Sequence, residues 1–122
     1  MENLRTPCLL LEIGRVRQNA ERMSDIARRG NVRLRPHVKT HKCIEVARIQ
    51  TAGHDGAITV STLAEGEAFS RHGFSDITYA MPIERGKFGE AIEISRGGVK
   101  LNLLTDDAET SKALDAAAGD AG

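Results

Sequence analysis

Strand-like and helix-like stretches alternate along this chain almost without a break, and that alternation restricts its fold more than any other feature. Extended runs begin near residues 32, 56, 76 and 99, and a stretch of helical periodicity follows each one. Residues 32–40 read as extended, with Pro36 opposing a helix. Residues 41–52 read as a helix that buries Val46 and Ile49, together with Cys43 and Ala47. Residues 56–61 and 76–81 are rich in β-branched residues, and residues 99–104 form the last run. Between them, Thr62 and Glu65 have the spacing of a helix-opening box in which hydroxyl and carboxylate satisfy orphan amides. Phe88, Ala91, Ile92 and Ser95 then mark one face of a further helix, and an alanine-rich helix spans residues 108–118. Single βα units with short loops predict a parallel sheet covered by helices. Ahead of them, residues 6–13 read as a short strand and residues 14–29 as an amphipathic helix through Val16, Ala20, Met23 and Ala27. The tail, residues 119–122, is expected to be unstructured.

A doubly wound open sheet and part of a (β/α)8 barrel both satisfy this pattern. A complete barrel takes about 250 residues, twice what the 122 here provide. No glycine fingerprint for dinucleotides and no phosphate-binding P-loop follows any strand. Seventeen basic residues balance seventeen acidic ones, which argues against a general nucleic-acid binder. Aromatic residues are too scarce, at 3%, for base-stacking platforms. No apolar stretch approaches a membrane span, and the N-terminus lacks the pattern of a secretory signal. Two lone cysteines, Cys8 and Cys43, fit a reducing, cytoplasmic setting, with Cys43 expected as a small buried hydrophobe.

Charge is balanced in sum but not in place. Residues 28–48 hold seven basic residues against one acid, Glu45, whereas residues 106–120 are predominantly acidic. Within the basic stretch, residues 33–41 read Arg-Leu-Arg-Pro-His-Val-Lys-Thr-His. On a strand, Arg33, Arg35, His37, Lys39 and His41 would share one face. Crowded cations suggest either an edge facing water or a site where an anion meets a reactive lysine. Lys39 is the candidate nucleophile, because neighbouring cations and burial favour the free amine that a Schiff base requires. The His37/His41 pair has the spacing of two zinc ligands on one helical turn. Pro36 and the two-residue period place it on a strand instead, so no metal site is expected there. His54 and His72 fall at helix ends, as surface or capping residues.

The run Arg35-Pro36-His37-Val38-Lys39-Thr40-His41-Lys42 resembles the RPHxKTHK signature of the D-threonine aldolase and D-serine dehydratase group, pyridoxal-phosphate enzymes with an alanine-racemase-like barrel. Thr6-Pro7-Cys8-Leu9-Leu10-Leu11 is similar to that group's opening strand. Val60-Ser61-Thr62-Leu63-Ala64-Glu65, His72-Gly73-Phe74-Ser75-Asp76-Ile77 and Tyr79-Ala80-Met81-Pro82-Ile83 resemble its next two βα units. The likeness covers roughly residues 6–105. It implies a partial (β/α)8 barrel: a leading strand and helix over residues 1–30, the first half of the barrel over 31–118, and a tail over 119–122. The second half of the barrel and a C-terminal β domain would lie outside the chain.

The resemblance also implies chemistry. Lys39 would form the internal aldimine with pyridoxal 5′-phosphate, with His37, Thr40 and His41 supporting the cofactor. A divalent metal, zinc or manganese, would sit in the C-terminal domain. The implied reaction is lyase action on D-3-hydroxy amino acids, either retro-aldol cleavage or loss of water. A pyridoxal-phosphate racemase and a non-catalytic cofactor-binding protein are the alternatives. The small-molecule substrate would be a D-amino acid and the intact protein a homodimer, with neither nucleic acid nor membrane as partner. The 122 residues alone are expected to be inactive.

Overall fold

The computed structural model describes residues 4–120. Helix α1 (Ile13–Arg29) comes first, ended by Gly30 and followed by an extended segment leading to His37. A single 3₁₀ turn, Val38–Thr40, precedes α2 (Ile44–Thr51). Then β1 (Ile58–Val60), α3 (Leu63–Ser70), β2 (Asp76–Pro82), α4 (Phe88–Arg96), β3 (Lys100–Leu104) and α5 (Ala108–Asp120) alternate. Another 3₁₀ turn, Arg85–Lys87, leads into α4.

The strands lie in the order β1-β2-β3 and are all parallel, with Ile58 beside Ile77 and Ile77 beside Leu101. Consecutive parallel strands joined by right-handed crossovers place their helices on one face of the sheet. The core records this. Ile58, Val60, Ile77 and Tyr79 alternate along β1 and β2 and are buried, packed with Leu63, Phe69, Phe88, Ala91 and Ile94 from the helices. Phe69 meets Phe74 edge-to-face, the rings 5.4 Å apart, which seals the lower end of α3. The opposite face carries Thr59, Thr78 and Asn102, aligned by register in a single row.

Several local expectations need correction. Among the described residues, 4–12 pair with no strand. Leu9, Leu10 and Leu11 stand exposed, because no sheet edge lies alongside to take their backbone bonds. The extended segment through residues 33–37 is only a rudimentary strand. Its ladder consists of one bridge between His37 and Thr59 and a bond from the Thr59 N–H to the Pro36 carbonyl at 2.8 Å. Val38 then turns into the core, fully buried, and the chain leaves strand geometry. Helix α2 begins at Ile44, so Cys43 is its half-buried N-cap rather than a residue within it. Helix α5 continues through Asp120, where a tail was expected, and residues 121–122 lie outside the described part.

Candidate functional site

At the carboxyl end of the parallel sheet, just past the bridge of His37 to Thr59, the chain makes the 3₁₀ turn that carries Lys39. The Nδ1 of His37 accepts the Lys39 backbone N–H at 3.3 Å, while the Val38 carbonyl accepts from Lys42 at 2.9 Å. With Nδ1 accepting, the hydrogen of neutral His37 lies on Nε2, 3.4 Å from the Ser61 hydroxyl at the end of β1. Burial, and then the charge of Lys39, hold the His37 imidazole below its ordinary pKa, which agrees with that neutral form. Lys39 itself is exposed, against the burial expected of it, because the 3₁₀ turn lifts it off the strand face, and it forms no ion pair among the described residues.

The turn is fastened on its far side as well. Lys42 reaches the carboxylate of Glu65 at 2.9 Å, and Glu65 is 9% exposed. The other carboxylate oxygen accepts the Ser61 N–H at 2.8 Å, and the Thr62 hydroxyl accepts the Glu65 N–H at 3.1 Å. The helix-opening box therefore forms, but with its carboxylate bonded one residue earlier than the motif predicts. Burial alone would raise the Glu65 pKa; the bonds from Lys42 and Ser61 outweigh it and leave the carboxyl below its usual range.

The ladder of cations read from the sequence does not exist as such. Arg33 pairs with Asp55 and lies 3.5 Å from Asp76, while Arg35 meets Asp76 at 2.7 Å. Lys100 stands 3.7 Å from Asp76, and the Asn102 amide donates to the same carboxylate at 3.0 Å. Paired chiefly with Arg35, the Asp76 carboxyl is held down to about 2. These charges form a layer of paired groups at the amino end of the sheet, one step below the row His37–Thr59–Thr78–Asn102. Because the strand ends at His37, Lys39 and His41 do not continue its face. His41 turns to α2, where its Nε2 lies 2.9 Å from Gln50 Oε1 and its Nδ1 accepts the Cys43 N–H. Thr40 is exposed at the end of the 3₁₀ turn. His54 is half-buried, 2.8 Å from the Ser24 hydroxyl, and ties α1 to the loop before β1; His72 stays at a helix end, bonded to the Ala68 carbonyl.

Sequence reasoning gave Ser61 no role and saw Glu65 only as a cap. Its link to Lys42 spans 23 positions, which no local pattern encodes. No sequence signal marks that link; the left-handed backbone at Lys42, φ 47°, which a lysine seldom occupies, shows only in the folded chain.

A one-sided parallel βα sheet whose carboxyl end presents a lysine on a tight turn has the pattern of part of an α/β barrel. Comparison with known proteins agrees. Residues 11–122 match the alanine racemase N-terminal domain, and the chain belongs to that family. Its fold is close to that of the D-threo-3-hydroxyaspartate dehydratase from Delftia sp. HT23, with a TM-score of 0.93 and 37% identity over 98% of this chain and 32% of that one. D-threonine aldolase from Filomicrobium marinum superimposes with a TM-score of 0.87 at 28% identity, covering 97% of this chain and 32% of the other. The D-serine dehydratase of Dictyostelium discoideum is 38% identical over 119 residues, 93% of this chain and 30% of that protein. The chain thus spans about a third of the length of the relatives it matches.

Proposed function

We propose that this chain is the lysine-bearing portion of a pyridoxal-phosphate-dependent lyase acting on D-3-hydroxy amino acids. The observation that carries the reading is an accessible amine, Lys39, without an ion-pair partner among the described residues, on a fixed turn at the carboxyl end of a parallel sheet, the end at which barrels place their chemistry. The dehydratases and aldolases among its relatives support the reaction class.

The residues present fit the cofactor. Covalent attachment to an aldehyde needs a primary amine that is accessible and not locked in an ion pair, and Lys39 meets both conditions among the described residues. When bound, pyridoxal phosphate supplies an electron sink that weakens the bonds at the substrate's α-carbon. Lys39 would hold it by Nζ, an amine that can also accept or give a proton. His37 keeps the backbone of Lys39 in place through Nδ1 and anchors itself to Ser61 through Nε2. Thr40 is near enough in the chain to support the cofactor. His41 acts from behind, by fixing the start of α2 through the Cys43 amide.

Turnover belongs to the intact protein, which we take to be a homodimer with a divalent metal, zinc or manganese, bound beyond these residues. The free thiols of Cys8 and Cys43 are in keeping with a cytoplasmic enzyme. The test is reduction of the intact protein with borohydride after addition of pyridoxal phosphate, followed by peptide mapping. The label is expected on Lys39 and absent in Lys39→Ala; a label on another lysine, or equal labelling of both proteins, overturns the reading. Product analysis then separates the reactions. Glycine plus an aldehyde marks an aldolase, a 2-oxo acid plus ammonia a dehydratase, and metal-independent interconversion of enantiomers would replace both with a racemase.

A further inference from the structure

We propose that Lys42 and Glu65 are positioning residues for Lys39, their ion pair clamping the turn of residues 37–42 onto the start of α3. The proposal rests on the reading of Lys39 given above, but its geometry stands independently. Lys39 projects from a turn of one 3₁₀ unit, too short to hold its own shape. Three fastenings hold it. Val38 is buried without exposure in the core, His37 bonds both the Lys39 amide and the Ser61 hydroxyl, and Lys42 meets Glu65. The last two meet at one residue, since Ser61 gives its N–H to Glu65 and its hydroxyl oxygen accepts from His37 Nε2. A continuous circuit therefore runs Lys42–Glu65–Ser61–His37 and brackets Lys39 on both sides.

Two features of this circuit exceed what a helix cap requires. The cap needs one carboxylate oxygen, yet the ammonium of Lys42, whose side chain is largely exposed, lies 2.9 Å from the other oxygen of the nearly buried Glu65. Lys42 also occupies left-handed backbone, φ 47°, where glycine or asparagine would be at ease. A lysine kept there against its backbone preference points to a task for the ammonium group. That task, on this geometry, is to fix where the Lys39 backbone lies. A shift of about 1 Å in a reacting group can cost a hundredfold in rate, so the clamp would act on cofactor attachment.

The experiment uses the intact protein with Lys42→Met, Lys42→Gly and Lys42→Arg. Two quantities are read: amide hydrogen exchange at residues 39–43 without cofactor, and the rate at which pyridoxal phosphate is trapped on Lys39 by borohydride. Lys42→Gly relaxes the backbone at φ 47°, so it removes the ammonium without adding strain, and it serves if Lys42→Met fails to fold. In the Met and Gly proteins, exchange is expected to quicken and trapping to slow by about tenfold each, with Lys42→Arg restoring both. If Lys42→Gly exchanges and traps like wild type while Lys39→Ala abolishes trapping, the clamp is overturned and the lysine assignment survives. If Lys39→Ala traps as well as wild type, the lysine assignment fails, and hydrogen exchange alone decides whether the pair holds the turn.

Discussion

Thr62 and Lys39 stand at opposite extremes of how directly a residue's role follows from its neighbours. The hydroxyl of Thr62 accepts the amide of Glu65 three residues on, inside one helical turn. Replacing Thr62 by Ala leaves that donor without its partner and should cost about 1 kcal/mol, read as a lower urea midpoint with an unchanged slope. This contact was legible because everything it needs lies within residues 62–65. Lys39 was chosen on a geometry that the structure revises. An alternating cationic face would have carried it past His37, whereas the chain leaves the strand there and Arg33 and Arg35 take carboxylate partners from distant positions. Asp55 and Asp76 lie 22 and 41 residues from those arginines, so no reading of the local charge run could have supplied them.

Helices and strands followed the hydrophobic period wherever packing confirmed it, and departed where a side chain overrode it. Residues 33–40 have the alternation of a strand, yet Val38 buries fully and the His37 ring captures the next turn's amide, so the strand yields to a 3₁₀ turn. Residues 6–13 are apolar enough for a strand but find no partner edge among the described residues, and propensity alone forms no ladder. Helix α3 carries the reverse case, a residue with poor helix propensity in a sound helix. Gly66 packs over the sheet, and a methyl group there would stand 3.8 Å from Val60 Cγ2 and 3.9 Å from Ile77 Cγ2, at ordinary contact distance. Gly66→Ala should therefore fit without strain and stabilise the protein by about 0.5–1 kcal/mol, seen as a higher thermal midpoint. A fall in that midpoint would show that α3 must sit closer to β1 than these distances allow.

At the scale of the whole molecule, the parallel order was legible because βα repeats with short loops permit little else. The ionic layer that joins the strands was not, because it is made of residues that meet only after the sheet forms. Asp76 is its centre, bonded to Arg35 beside β1, to Asn102 and Lys100 on β3, and near Arg33. Its carboxyl is held at about 2, below the ordinary 3.8, so ionisation favours the folded chain. That stabilisation is complete above about pH 4 and fades as pH falls through 2, where the folded state too takes up the proton. The group remains partly open to water, which reduces its contribution to about 1 kcal/mol. Urea denaturation of the intact protein at pH 5 and pH 2.5 should show wild type losing more stability than Asp76→Asn, which is neutral at both values. Equal losses would mean that Asp76 titrates alike in the folded and unfolded chains, and that the strands are held by their apolar face alone.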